Sequence, residues 1–422
     1  MPTVTARWLF PVAGPPLEGG HLTFVGERIT AVEPLGRRAA DIDFGNAAIL
    51  PGLVNAHTHL DLTGMRGLVP PSPDFIAWLR QVIAHRRART PDEVVADVRV
   101  GLAECLASGT TLVGDISADG GSWSMLADTP LRAVVFRELI GLPKDRAERA
   151  WQSAQRWLGA CPPRPNCRPG LSPHAPYSAR VSLIKAVASS GLPVAVHLAE
   201  SLAERELLEE HAGPFVPFLQ EFGAWDPVGL AKSPEHVLRL AASDAPTLFI
   251  HGNYLAASAA VPTTASVVYC PRTHAAFGHS PHSFHDMRGR NIRVALGTDS
   301  LASCEDLDML AEARFAIALN RALNPDSNFG PRQALEKITI EAAQCLKKDK
   351  EIGSLIPGKC ADLAIFQIGD GKQSTKDSDR IDPYELLLGG QCQMRELLID
   401  GVSRYNNEDG ATSLAKEAIS IS

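Results

Sequence analysis

Asn55-Ala56-His57-Thr58-His59 puts two imidazoles two residues apart at the end of an apolar run. If that run is a β-strand, period-two alternation sends both rings to the same side, a workable geometry for two ligands of one metal ion. Alone the pair is a weak signal, since surface and core histidines produce the same spacing. The rest of the chain strengthens it. Further apolar runs lead into His174-Ala175-Pro176-Tyr177, His197-Leu198-Ala199-Glu200-Ser201, His251-Gly252-Asn253 and Gly297-Thr298-Asp299-Ser300. Five of the 13 histidines (57, 59, 174, 197 and 251) and Asp299 therefore share one kind of position. Imidazole plus carboxylate suits Zn²⁺ or Fe²⁺, and ligand type does not separate the two.

Such a constellation needs a scaffold that gathers strand ends. Strand-like runs fall at 52–56, 110–116, 132–140, 170–173, 193–198, 247–251, 266–270 and 293–298, eight in all, with amphipathic stretches such as 92–107, 181–189 and 307–322 between them. Alternating strands and helices predict the α/β class with a parallel sheet, and eight units predict a (β/α)8 TIM barrel over residues 51–352. In that fold catalytic groups sit at the C-terminal ends of the strands, where the histidines fall. Residues 1–50 and 353–405 read instead as short strands and turns, expected to pair into a small flanking β-sandwich domain. The polar stretch 406–422 is expected to fray.

Composition narrows the partners. With 422 residues, 45% hydrophobic and 21% charged, the chain has ordinary globular balance and ample core, which excludes disorder and disulfide-stapled miniproteins. Its 41 basic and 48 acidic residues give a net charge of −7 with no basic stripe. No nucleic acid or anionic membrane is therefore expected, and a small molecule is the expected substrate. None of the 8 cysteines forms a Cys-x-x-Cys pair, so reduced thiols in a cytoplasmic protein are the plain reading. The start, Met1-Pro2-Thr3-Val4, has no secretory pattern, and no apolar run reaches the roughly 18 residues that suggest a membrane span.

Taken together, Pro51-Gly52-Leu53-Val54-Asn55-Ala56-His57-Thr58-His59, His197-Leu198-Ala199-Glu200, His251-Gly252 and Gly297-Thr298-Asp299 resemble the amidohydrolase superfamily. The likeness is to its deaminase and chlorohydrolase branch. The segment Gly353-Ser354-Leu355-Ile356-Pro357-Gly358-Lys359-Cys360-Ala361-Asp362-Leu363 resembles the family's closing segment, and the likeness spans about residues 5–405. The resemblance implies that His57, His59, His197 and Asp299 hold one divalent metal ion, zinc favoured over iron. Such an ion lowers the pKa of a bound water from roughly 15.7 towards about 7. It further implies that Asp299 accepts a proton, that Glu200 shuttles one to the substrate ring, and that His251 orients the water or polarises the substrate. Without the resemblance, Glu200 reads as a helix-start carboxylate favoured by the dipole. Binuclear relatives carry a lysine on the fourth strand; here no lysine lies between Lys144 and Lys185, so a mononuclear site is expected.

The substrate side is less sharply written. The resemblance offers His174 to the substrate, and Arg66 lies on a loop that reaches the substrate in relatives, although it reads equally as a solvated charge. After the seventh strand, relatives show Asn-Pro-x-Ser-Asn, whereas this chain has Cys270-Pro271-Arg272-Thr273-His274 and then Phe277-Gly278-His279. Arg272, His274 and His279 are expected to form a polar wall for a substrate carboxylate or ribose, Cys270 a packed thiol, and Trp78 a core residue rather than a stacking platform. The implied activity is hydrolytic removal of an exocyclic amino group from an adenine-type nucleoside. Within the branch, the residues around 270–274 and 197–201 look most like bacterial sequences grouped with aminodeoxyfutalosine deaminase. Methylthioadenosine and adenosylhomocysteine stay open as substrates. The alternatives are hydrolysis of a cyclic amide, amidine or chlorinated ring on the same metal, and a non-catalytic barrel scaffold. Family members are often dimers or larger, which leaves a homo-oligomer open.

Overall fold

The computed structural model describes residues 1–369, 382–390 and 392–407. Eight strands form one sheet in chain order: β1 (Leu53–Thr58), β2 (Thr110–Ser117), β3 (Arg132–Leu139), β4 (Cys167–Pro173), β5 (Val194–Leu198), β6 (Thr247–His251), β7 (Ala265–Tyr269) and β8 (Val294–Leu296). Pairing is parallel from β3 to β8, and a parallel bridge between Thr58 and Asp299 brings the last strand back to the first. This is the expected (β/α)8 barrel. Its strands are buried almost throughout, which is why they read as unbroken apolar runs rather than alternating ones. One unit departs from the expected alternation. Among the described residues no helix lies between β6 and β7, and a turn-rich loop makes the crossover.

Closure next to β1 depends on Gly297. A Cβ there would lie 2.9 Å from the Cβ, N and O of His57, so only glycine lets the end of β8 approach the backbone that carries the first histidine.

By packing, residues 56–101 and 113–307 group into one compact unit. Residues 1–55, 102–112 and the described residues from 308 onward group into another. The second holds two flank sheets. One orders Arg28–Glu33, His21–Val25, Thr3–Thr5 and Ile42–Asp43; the other orders Val402–Asn406, Cys392–Ile399, Leu363–Ile368, Ala47–Pro51, Trp8–Leu9 and Leu17–Glu18. The two ends of the chain meet where Ala47–Pro51 pairs antiparallel with Leu363–Ile368, Ile49 opposite Ile365. Val4, Leu22 and Ile29 of the first sheet and Leu9, Ile49 and Leu363 of the second share one apolar core, a sandwich. Of the stretch 406–422, Asn406 ends a strand and residues 408–422 lie outside the described residues. No helix among the described residues is long and apolar enough to cross a membrane.

Beneath the mouth, buried Asp115 on β2 accepts hydrogen bonds from the Leu60 amide at 3.0 Å and the Ser122 hydroxyl at 2.5 Å. It thereby fixes the turn that follows His59. Burial, with Asp61 adding, pushes its carboxyl up to about 7. The folded value lies above the unfolded one, so the folded state binds the extra proton and stability falls as pH rises from about 4 through 7. Glu204, likewise held near 7 by burial, acts with the same sign. Asp115→Asn keeps an acceptor for Leu60 and removes one titration. The variant is expected to melt well above the parent at pH 8 and about level with it at pH 4. Parallel melting curves at the two pH values would refute this account of Asp115.

Candidate active site

Four side chains from three strand ends converge on one point. His57 Nε2 lies 3.2 Å and His59 Nε2 3.5 Å from Asp299 Oδ1, and His197 Nε2 lies 3.3 Å from His59 Nε2. His57 and His59 share a side of β1, as the period-two argument requires, with ring centroids 4.9 Å apart. Four donors bound at roughly 2.0–2.2 Å in a tetrahedron sit about 3.3–3.5 Å from one another, close to these three distances, and the donor atoms of His57, His59 and His197 all lie within 4.8 Å of one another. The donor set therefore fits a divalent ion. His197 Nδ1 faces the His174 carbonyl at 2.9 Å, so it donates there and leaves Nε2 with its lone pair towards the cluster. His251, from β6, forms a second group with His57 and Asp299, its ligand atom within 4.8 Å of theirs.

Electrostatics suit ligands. Burial, with His57 adding, holds His59 and His197 well below the ordinary imidazole value, so both are neutral. Burial opposes ionisation of Asp299, yet hydrogen bonding to His57 and the nearby imidazoles hold it below the usual carboxylate range. Ser303 Oγ donates to Asp299 Oδ2 at 2.7 Å. Next to the cluster, Glu200 Oε1 lies 3.4 Å from His251 Nε2. Only 7% exposed, Glu200 is pushed well above the usual carboxyl value by burial first, then by Asp299 and Glu204. Burial takes His251 down to about 3. A protonated carboxyl facing a neutral imidazole is an arrangement that can pass a proton.

Glu200 is not the helix-start charge that its position suggests. Ser201 caps the helix Leu202–Glu210 by accepting from the Glu204 amide, which leaves the Glu200 side chain facing His251. Ala199, His251 and Asp299 all hold left-handed backbone at φ 51°, 66° and 61°. Each such non-glycine residue costs about 1–3 kcal/mol and persists only where its surroundings enforce it.

The site floors a cavity of about 420 Å³, within the usual range of small-molecule pockets. His59, His174, His197, Glu200, His251 and Asp299 line it, and Phe75, Trp78, Tyr177, Phe218 and Phe222 supply much of the wall. Trp78 does two jobs: it packs edge-on against Phe277 at 4.9 Å and also faces the cavity. His174 Nδ1 pairs with Ser178 Oγ at 2.6 Å.

The other expected contacts lie elsewhere. Arg66 is exposed on its loop and is not among the lining residues. Arg272 forms an ion pair with Asp306 at 2.8 Å, His274 bonds Asn253 at 3.0 Å, and His279 meets the Tyr254 hydroxyl at 3.1 Å; none of the three lines the cavity. Cys270 is buried. Arg86 lines the cavity without having been singled out. Its guanidinium binds Glu138 at 2.9 Å and Asp61 at 3.3 Å. In the sequence it sits inside His85-Arg86-Arg87, a run that reads as a solvated helix face. Ser303 carried a usable signal, since it lies four residues after Asp299 at helical-turn spacing.

The buried imidazoles of His57, His59, His197 and His251 gathered with the Asp299 carboxylate at the C-terminal mouth of a parallel barrel are the arrangement of barrel hydrolases that work with a bound metal ion. The Amidohydrolase family profile matches residues 48–383, and the chain belongs to that family, hydrolases of carbon–nitrogen bonds. The chain is 30% identical over 382 residues to a 5-methylthioadenosine/S-adenosylhomocysteine deaminase of Moorella thermoacetica, covering 85% of this chain and 84% of that one. It is 28% identical over 367 residues to an aminodeoxyfutalosine deaminase of Nitratiruptor sp., covering 83% and 88%. A zinc-bound adenosine deaminase from Xanthomonas campestris has the same fold at TM-score 0.80 and 23% identity, covering 99% of this chain and 97% of that one.

Proposed function

We propose that this protein is a metal-dependent aminohydrolase that replaces the exocyclic amine of an adenine-type nucleoside with oxygen and releases ammonia. The observation that carries the reading is Glu200, a buried carboxyl above its usual pKa, 3.4 Å from His251 and beside the ligand tetrad at the floor of an aromatic-walled cavity. The deaminase relatives at 28–30% identity support it. In this reading His57, His59, His197 and Asp299 hold one divalent ion, with zinc favoured by the zinc-bound relative of the same fold. When bound, the ion acidifies a water and polarises the reacting group.

The chain's own groups do the rest. Asp299 accepts one proton as the water oxygen bonds to the amine-bearing ring carbon. Glu200 protonates the adjacent ring nitrogen. The proton held by Asp299 then passes to the amine, and the carbon–nitrogen bond breaks so that the amine leaves as ammonia. The proton of the new hydroxyl returns to Glu200 as the carbonyl forms. His251 orients the attacking oxygen, and His174 reaches the bound base or sugar. The aromatic wall excludes water and offers faces for the base. The same reading makes the enzyme cytoplasmic and its substrate a small molecule.

The test is ammonia release by zinc-reconstituted protein against a panel of adenosine, methylthioadenosine, adenosylhomocysteine and aminodeoxyfutalosine, with cytosine, guanine and a cyclic amide as contrasts. Preference for an adenine nucleoside is expected. Silence on every amine-bearing ring, with metal verified in the protein, would refute the deaminase reading.

A further inference from the structure

We infer that the short helix Pro271–Ala276 is a positioning element that braces both acid–base carboxylates, Glu200 through His274 and Asp299 through Thr273. The inference rests on the roles proposed above for those two carboxylates. Thr273 and His274 are buried (1% and 4% exposed) and neither lines the cavity, so neither meets a substrate there. Each starts a separate hydrogen-bonded relay. His274 Nδ1 bonds Asn253 Oδ1 at 3.0 Å, and Asn253 Nδ2 donates to the Glu200 carbonyl at 3.0 Å. With its amide nitrogen committed to that carbonyl, Asn253 turns its oxygen to His274 Nδ1, and the same ring is also hydrogen-bonded to the Ser280 backbone. On the other side, Thr273 Oγ1 meets Ser303 Oγ at 3.0 Å, and Ser303 Oγ donates to Asp299 Oδ2 at 2.7 Å. The Ser303 hydrogen is spent on the carboxylate, so Thr273 donates to Ser303.

Successive residues of a helix point about 100° apart, so one turn can reach two different strand ends. The need for bracing is visible in the backbone. Ala199, just before Glu200, and Asp299 itself are the left-handed residues at φ 51° and 61°. Glu204 already holds the amide side of this turn, accepting from Ala199 at 2.8 Å and from Glu200 at 3.3 Å. Asn253 closes the carbonyl side. Without it the Glu200 peptide is held from one side only, and a displacement of about 1 Å at a catalytic group can cost ~10²-fold in rate.

His274→Ala is expected to lower kcat about 10- to 100-fold, with KM and zinc affinity little changed. His274→Asn, which keeps an N–H near the Nδ1 position, is expected to recover most of that loss. In a Glu200→Gln background His274→Ala should cost less than about threefold, because it acts through Glu200. Thr273→Val is expected to weaken zinc affinity about tenfold in chelator competition. Wild-type kcat in His274→Ala, or an equal loss in both backgrounds, would overturn the inference. If His274→Ala does not fold, His274→Asn and Asn253→Ala carry the same comparison. A wild type that releases no ammonia from any ring refutes the parent reading instead, and the Thr273→Val zinc titration then judges the bracing by itself: unchanged affinity overturns it.

Discussion

Glu200→Gln is expected to cut ammonia release by 10²–10⁴-fold, roughly the contribution of a positioned acid–base group, while leaving zinc content and melting temperature near the parent's. The amide has the shape of the carboxyl and still donates a hydrogen bond to His251, so binding should survive. What it loses is the ability to give up and regain a proton. The effect should be large because the site invests in this group. Burial, Asp299 and Glu204 all favour the protonated carboxyl, which readies Glu200 to act first as an acid. A kcat within a few-fold of the parent, on the preferred nucleoside and with metal verified, would remove Glu200 from the mechanism. The assay also separates this reaction from ring opening or dechlorination on the same scaffold, which release no ammonia.

Removing the divalent ion with dipicolinate should abolish turnover by on the order of 10³-fold or more, the equivalent of several kcal/mol. One equivalent of Zn²⁺ should restore it. Stability should follow. The donor atoms of His57 and His59 already stand 3.2 and 3.5 Å from Asp299 Oδ1, all three side chains buried. An ion that binds only this folded arrangement stabilises it by about 4 kcal/mol at a thousandfold excess over Kd. The melting temperature should therefore rise with the logarithm of zinc concentration. Full activity in protein shown by mass spectrometry to carry no metal would overturn the assignment of the tetrad. So would a melting temperature indifferent to zinc, since the two readouts are independent.

What could be read from the chain alone was whatever local periodicity encodes. His57 and His59 lie two apart on a strand, so their common side follows from the pleat, and His197, His251 and Asp299 end apolar runs whose number and spacing announce a barrel. In a barrel all strand ends share one mouth, so the gathering of these side chains with His174 was legible before any coordinate, whereas the choice of His57, His59, His197 and Asp299 as ligands and the roles of Glu200 and His251 are what the family resemblance implies. The flank sheets were legible for the same reason, as short apolar runs between turn residues, although the pairing of Ala47–Pro51 with Leu363–Ile368 joins residues more than three hundred positions apart.

The tertiary structure decided which of the remaining polar side chains face the cavity. Residues beyond a strand end leave the pleat, and their direction is set by contacts with elements remote in sequence. Arg86, on a helix, takes its partners from Asp61 and from Glu138 on β3, 52 residues away, so a run that reads as a solvated face carries a cavity-lining guanidinium. Arg272 and His274 were expected to face a substrate; Asp306 and Asn253 claim them instead. A histidine two residues from another on a strand can go only one way, whereas a histidine on a one-turn helix can satisfy its nitrogens in several, and the packed neighbour chooses.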